Sequence, residues 1–155
     1  LPLLRRFGGE VFWRDGAVIA KPAPLTGCEI DVSDIPDLLP ILAVVASFAQ
    51  GETRFTNAAR LRLKESDRLQ ATAAMLRSLG GQAAELSDGL LVRGGGALAG
   101  GETESFNDHR MAMSAAIAAA GCQGPVVLRD AQAVNKSYPS FFSVYRNLGG
   151  VADVI

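Results

Sequence analysis

Leu76-Arg77-Ser78-Leu79-Gly80-Gly81 has two near-copies in this chain, Leu4-Arg5-Arg6-Phe7-Gly8-Gly9 and Tyr145-Arg146-Asn147-Leu148-Gly149-Gly150. Each sets an Arg close to a helix end, where the axial dipole favours a cation, and follows it with a glycine that stops the helix. Gly9 and Gly81 lie 72 residues apart, and Gly81 and Gly150 lie 69 apart. The same step recurs elsewhere. It is 71 residues from Asp37 to Asp108, each opening an Ala-rich apolar helix, and 71 from Ser66 to Ser137, each opening a second helix. A period of about 70 is too long for a solenoid of short repeats and points to duplication of a larger supersecondary unit.

Working outward from these glycines gives the content of one unit. Val11 to Trp13 and Ala17 to Ala20 are short apolar runs split by Arg14-Asp15-Gly16, a hairpin signal. Asp34-Ile35-Pro36-Asp37 starts a helix that Ser33 or Asp34 can cap, and a first turn tolerates Pro. Leu38 to Ala49 is apolar almost all round, so that helix is buried. Thr53 to Thr56 reads as a strand, and Ser66 caps an amphipathic helix with Leu69, Ala73, Leu76 and Leu79 on one face. The second unit repeats the order: a hairpin over 83–86 and 90–93, a buried helix over 108–120, a strand over 126–129 and a helix over 138–148. Two strands, helix, strand and helix, with room for short extra strands, define an α/β protein.

Composition narrows the function. With 48% hydrophobic and 20% charged residues the chain can build a core. A formal net charge of -1 supplies no global field for nucleic acid or an anionic membrane, so any anion site must come from local placement of bases. The apolar runs are too short to span a bilayer. Cys28 and Cys122 stand far apart without CxxC pairing, which argues against a disulfide scaffold or zinc site and fits a reducing cytoplasm. Leu1 opens the chain where Met is expected, within what reads as the last turn of a helix, so the sequence reads as part of a longer protein.

The chemically interesting residues gather at helix starts. They are Lys64-Glu65-Ser66-Asp67-Arg68, Asn107-Asp108-His109-Arg110, Asn135-Lys136-Ser137-Tyr138-Pro139, and Asp37 in a first turn. Helix starts attract anions, so acids there are expected, whereas a base is locally unfavourable by up to about 1 kcal/mol. Three of the four starts carry a base. If the starts converge, they form an anion pocket suited to phosphate and carboxylate groups. Simpler readings exist for each residue. Glu65 and Arg68 fit a surface i,i+3 pair, Asp108 an N-cap, His109 a structural donor, Asp37 a dipole-satisfying acid, and Lys136 a solvated lysine. Met111 and Met113 read as core filler. These readings explain each residue but not their joint recurrence. Gly94-Gly95-Gly96-Ala97-Leu98-Ala99 lacks both a following helix and GK[ST], so it is a loop and not a nucleotide motif. A single histidine without GxSxG supports no Ser–His–Asp triad.

Arg62-Leu63-Lys64-Glu65-Ser66-Asp67-Arg68, Asn107-Asp108-His109-Arg110-Met111-Ala112-Met113, and Lys136-Ser137-Tyr138-Pro139 with Phe141 and Phe142 resemble the C-terminal signatures of the 5-enolpyruvylshikimate-3-phosphate synthase family, as does Asp34-Ile35-Pro36-Asp37. The similarity covers essentially the whole chain, in the right motif order. It implies repeated βαβαββ units of the enolpyruvyl transferase fold, an inside-out α/β barrel of two lobes with helix N-termini aimed at the cleft between them. Residues 1–155 would be part of the C-terminal lobe, about two units, near 9–80 and 81–150. The implied reaction moves the enolpyruvyl group of phosphoenolpyruvate to the 5-hydroxyl of shikimate 3-phosphate and releases phosphate, with no metal and no organic cofactor. By resemblance Asp37 takes the hydroxyl proton and Glu65 handles the proton at the phosphoenolpyruvate methylene. Lys64 contacts shikimate 3-phosphate, and Arg68, Arg110 and Lys136 grip phosphoenolpyruvate. Asp108 and His109 stand behind them and orient Arg110.

Arg60 departs from the pattern, since some members carry Asn there as a shikimate contact. The resemblance also implies an N-terminal lobe with further ligands, without which the chain would be inactive. Two alternatives share the residues: the sister enzyme that transfers enolpyruvate to a UDP-sugar, and a non-catalytic anion-binding module that kept the fold. The Lys-Glu-Ser-Asp-Arg and Asp-His-Arg-Met strings favour the shikimate enzyme over the first.

Overall fold

The computed structural model describes residues 1–153. A short helix α1 (Pro2–Arg6) leads into the hairpin of β1 (Glu10–Arg14) and β2 (Ala17–Lys21). Its two-residue turn puts Asp15 and Gly16 at φ of 50° and 78°, the mirror-image turn that matches strand twist and that the Asp-Gly pair favours. Next come β3 (Glu29–Asp31), a 3-10 turn (Pro36–Leu38), α2 (Leu39–Phe48), β4 (Gly51–Thr56), a second 3-10 turn (Ala59–Leu63) and α3 (Arg68–Ser78). The order then repeats, with β5 (Gln82–Leu86), β6 (Gly89–Gly94), β7 (Gly101–Glu104), α4 (His109–Ala119), β8 (Val126–Arg129), a 3-10 turn (Ala131–Lys136) and α5 (Phe141–Asn147). The fold is α/β, as the hydrophobic pattern requires.

The strands β3 and β4 run parallel with α2 crossing between them, and β7 and β8 run parallel with α4 between them. The second hairpin extends the first pair into a mixed sheet of order β3-β4-β6-β5. The three look-alike segments end in one and the same backbone device. Gly8, Gly80 and Gly149 have φ of 90°, 86° and 96°. Each donates to the carbonyl three residues back, and the following glycine donates to the carbonyl five back. This is the Schellman stop, which only a residue at ease in the left-handed region makes without strain.

The buried helix α2 is the packing centre. Leu39, Leu42, Ala43 and Ala46 lie within one continuous core with Phe7, Ile30, Phe55, Leu69, Leu76, Leu90 and Met111. It rests on β6 and touches both α3 and α4. Gly94 of β6 faces its C-terminal end: a Cβ there would stand 2.2 Å from the carbonyl oxygens of Ala46 and Ala49. A smaller cluster of Ala112, Ala133 and Val134 gathers Met113, Leu128, Phe141 and Phe142 around it. Both methionines are therefore filler, as expected.

Three expected helix starts move. The first helix does not run from Asp34. Pro36 keeps Ile35 out of the α region (φ −133°, ψ 38°), and Pro40 lacks the N–H that a continuous helix would need, so residues 36–38 form a 3-10 turn and α2 begins at Leu39. Neither Ser33 nor Asp34 caps it. The helix α3 is capped by Asp67, not Ser66: Asp67 Oδ1 accepts from the N–H groups of Leu69 and Gln70, both at 3.1 Å. The last helix starts at Phe141 and not at Tyr138, because Pro139 disfavours helical geometry in the residue before it.

Gly94 and Gly96 give a matched test of the close approach. A Cβ at Gly96 meets nothing within 4 Å. Gly94→Ala is expected to destabilise by about 1–3 kcal/mol through overpacking, and Gly96→Ala to stay within about 0.5 kcal/mol, both read by urea unfolding. Equal effects would mean that β6 and α2 are not in contact at that point.

Candidate functional site

The 3-10 turns and helix starts bring most of the singled-out residues together around Arg68. This first residue of α3 is only 1% exposed. Its Nε donates to Asp108 Oδ2 at 2.7 Å, its Nη1 to Asp37 Oδ1 at 2.7 Å and its Nη2 to Glu65 Oε2 at 2.7 Å. A longer Nη2 bond of 3.3 Å reaches the second Asp108 oxygen. Burial works against the Arg68 charge, but the carboxylates of Asp108, Glu65 and Asp37 outweigh it and hold the guanidinium firmly protonated. The simpler reading of Glu65 and Arg68 as a surface pair therefore fails: one partner is inside the protein.

Asp37 is the second node. Its Oδ2 accepts from Arg110 Nη2 at 3.0 Å, and Lys64 Nζ stands 3.4 Å from Oδ1. Partial burial would raise this carboxyl, yet Arg110, Lys64 and Arg68 together pull it below the ordinary carboxylate range. Asp37 is 41% exposed and Glu65 45%. Both acids thus face solvent on one side and cations on the other.

Asp108 is fully buried. Besides Arg68 it accepts from the Arg110 backbone N–H at 2.9 Å, as the N-cap of α4, and from the Ser66 hydroxyl at 3.1 Å. Burial alone would raise its pKa; Arg68, the Arg110 N–H and Ser66 outweigh that and keep it low. Its side chain does not touch the Arg110 guanidinium: it holds Arg68 and reaches Arg110 only through the backbone N–H of the α4 cap. His109 makes no hydrogen bond to Arg110 either. Its Nδ1 is buried without a partner, 4.0 Å from Asp108 Oδ1. The loop before Asp108 is strained, with Phe106 and Asn107 both left-handed at φ of 52° and 54°.

Lys136 ends the 3-10 turn over 131–136 and not a helix start, and its Nζ donates to the Asn107 carbonyl at 2.5 Å. It joins the cluster's edge through the loop that carries Asp108. Arg60 is exposed, and among the described residues its side chain finds no partner. The Ser66 hydroxyl is the contact the sequence reading missed; the motif spelled it out, but as a cap. A surface hollow of about 360 Å³ lies elsewhere, between α3 and β7, lined by Ala74, Ser78, Thr103 and Arg129. None of the candidate groups lines it.

Three cations (Lys64, Arg68 and Arg110) thus meet three carboxylates (Asp37, Glu65 and Asp108), with Lys136 at the edge on the Asn107 carbonyl. The class this defines is an α/β repeat protein with a cluster of interlocked cations and carboxylates at its turns and helix starts. A family model described as EPSP synthase (3-phosphoshikimate 1-carboxyvinyltransferase) matches residues 1–145, and the chain belongs to that family. It is 47% identical over 150 residues to the 3-phosphoshikimate 1-carboxyvinyltransferase of Clostridium acetobutylicum, covering 97% of this chain and 35% of that protein. It is 42% identical over 149 residues to the protein of the same name from Archaeoglobus fulgidus, with 95% and 35% covered. Among solved structures, an EPSP synthase from Acinetobacter baumannii superimposes with a TM-score of 0.84 at 32% identity, covering 97% of this chain and 38% of that one. The enolpyruvyl transferase NikO from Streptomyces tendae gives 0.80 at 25% identity, with 97% and 34% covered. The chain spans about a third of the length of the relatives it matches.

The energetic ranking within the cluster is testable by truncation. Arg68→Met leaves Asp108 buried with an uncompensated charge and is expected to cost about 3–5 kcal/mol. Arg110→Met removes a partner of a half-exposed carboxylate and is expected to cost about 0–1 kcal/mol. Urea denaturation of the two variants decides it; a loss of under about 1 kcal/mol for Arg68→Met would contradict the burial of that charge.

Proposed function

We propose that this chain supplies about half of the active site of an enzyme that transfers the enolpyruvyl group of phosphoenolpyruvate to the 5-hydroxyl of shikimate 3-phosphate, releasing phosphate. The observation that carries this reading is the Asp37 carboxylate, shared by Arg68, Arg110 and Lys64, all three from segments that match the family. The other groups of the site come, in this reading, from the remaining two-thirds of a protein the length of its relatives, which include the opposing lobe. Residues 9–80 and 81–150 are two units of the lobe present here. The two free cysteines are in keeping with a cytoplasmic setting.

The reaction needs an acceptor for the hydroxyl proton, a donor to the enol methylene, and cations for a phosphate leaving group. Asp37 and Glu65 are the two solvent-facing acids of the cluster, and we assign them the first and second tasks. Asp37, held below the usual carboxylate range by three cations, is a weak base in this arrangement. Binding changes that. When the carboxylate and phosphate of phosphoenolpyruvate take up Arg110, Lys136 and the part of Arg68 that Asp37 covers, those cations are neutralised by the ligand. Asp37 then loses the field that depressed it and gains basicity only once substrate is in place. Lys64, beside Asp37, is positioned to contact shikimate 3-phosphate. Arg68 is buried behind Asp37 and Glu65, so it grips the ligand only as one of those carboxylates turns away from it. Asp108 and His109 act from behind: Asp108 fixes Arg68 and the start of α4, and His109 lies alongside it.

In the intact enzyme, or with this chain complemented by a polypeptide carrying the other lobe, phosphate release should require both substrates. Asp37→Asn is expected to lower kcat by about 10²–10⁴-fold, measured by phosphate release. Full turnover by that variant would remove Asp37 from the reaction. Phosphoenolpyruvate binding with no transfer to shikimate 3-phosphate, even with the second lobe present, would favour the non-catalytic anion-binding module.

A further inference from the structure

We infer that Arg62 is the positioning residue for the Lys64–Ser66 segment, clamping the two ends of that segment to each other and to the tip of the β5–β6 hairpin. Residues 64–66 lie outside helix and strand, yet Lys64 reaches Asp37, Glu65 reaches Arg68, and Ser66 reaches Asp108. A segment without its own hydrogen-bond ladder can hold such geometry only if its ends are fixed. Apolar packing anchors the flanks, through the buried Leu61 and Leu69, but not the stretch between them, where Leu63 is 88% exposed. Arg62 fixes the ends of that stretch. Its Nη1 donates to Asp67 Oδ2 at 2.8 Å and to Glu85 Oε2 at 3.1 Å, and its Nη2 donates to the Leu86 carbonyl at 3.1 Å.

The Asp67 contact matters most. The other oxygen of that carboxylate caps α3, so one side chain joins Arg62 to the helix whose first residue is Arg68. Six residues, 62–67, are thereby closed into a loop with the candidate site groups at its crown. Glu85 and Leu86 tie this loop to the sheet at the end of β5. Hydrogen bonds to Asp67 and Glu85 also strengthen the Arg62 charge. A planar fork can hold three acceptors in different directions, and an ammonium on a flexible stem is a poor substitute. The clamp itself stands on these contacts; only its kinetic consequence rests on the function proposed above.

The test compares Arg62→Met, Arg62→Lys and a control, Arg77→Met, in the intact enzyme. Arg77 bonds the Ala83 carbonyl at the far end of α3, away from the site. By hydrogen exchange and mass spectrometry, a peptide spanning 62–67 should exchange at least about tenfold faster in Arg62→Met while peptides of α2 and α4 stay protected. Its kcat should fall by about tenfold or more through misplaced Lys64 and Glu65. Arg62→Lys should lie between, recovering the Asp67 contact alone, and Arg77→Met should match the parent in both measurements. Unchanged exchange, or faster exchange with parental kcat, overturns the inference. A parent enzyme that releases no phosphate would instead refute the proposed reaction, leaving the exchange comparison to decide the clamp. If Arg62→Met fails to fold, Arg62→Lys against Arg77→Met gives the same comparison with smaller effects.

Discussion

A guanidinium with 1% exposure cannot exist in a protein unless acids come inside with it, and Arg68 is held by three. Desolvating a charge costs several kcal/mol, which is offset only where geometry is good and the hydrogen-bonding groups are satisfied. Asp108, fully buried, is the permanent partner: it is fixed by the α4 cap and the Ser66 hydroxyl as well as by Arg68. The contact ties α3 of one repeat to α4 of the next, across 40 residues of sequence. The register of the two repeats at this point is therefore fixed by an ion pair, while the surrounding core of α2, β6 and α4 fixes it by shape.

From that pair the exposed chemistry follows. Asp37 and Glu65 complete the shell of Arg68 from the solvent side, and because they are half exposed they can be replaced there. Arg110 and Lys64 share Asp37, so each of these cations meets a carboxylate. An anion with two charged ends would substitute for protein carboxylates already in the right places. For the reaction proposed above, such a site would be preorganised: its charges are oriented before the reacting atoms arrive.

Much of this was legible in the sequence, for identifiable reasons. Helix ends were readable because Gly8, Gly80 and Gly149 make the same left-handed stop, a strictly local device. Both hairpins and β8 followed from turn residues and short apolar runs. Helix starts were less readable, because Pro36, Pro40 and Pro139 each displace the start, and the residue that caps α3 lies next to an equally good candidate. Burial of Arg68 was not readable at all, since it depends on Asp108 arriving from another repeat. The pairing of Asp108 with Arg68 was hidden for the same reason: the two lie 40 residues apart, whereas the cap contact to Arg110 is local. Arg62 looked like one more base in a charged motif, and only the end of β5 reveals what it holds.

In the proposed reaction Asp37 is suppressed as a base by Arg110, Lys64 and Arg68, cations that a bound anion would take over. Carboxyl-carbon NMR titration of Asp37 in the intact enzyme, with and without phosphoenolpyruvate, tests it directly. The account predicts a pKa below the ordinary value of about 3.9 in the empty site and a rise when phosphoenolpyruvate is bound. An Asp37 pKa that stays put or drops further on binding would contradict it.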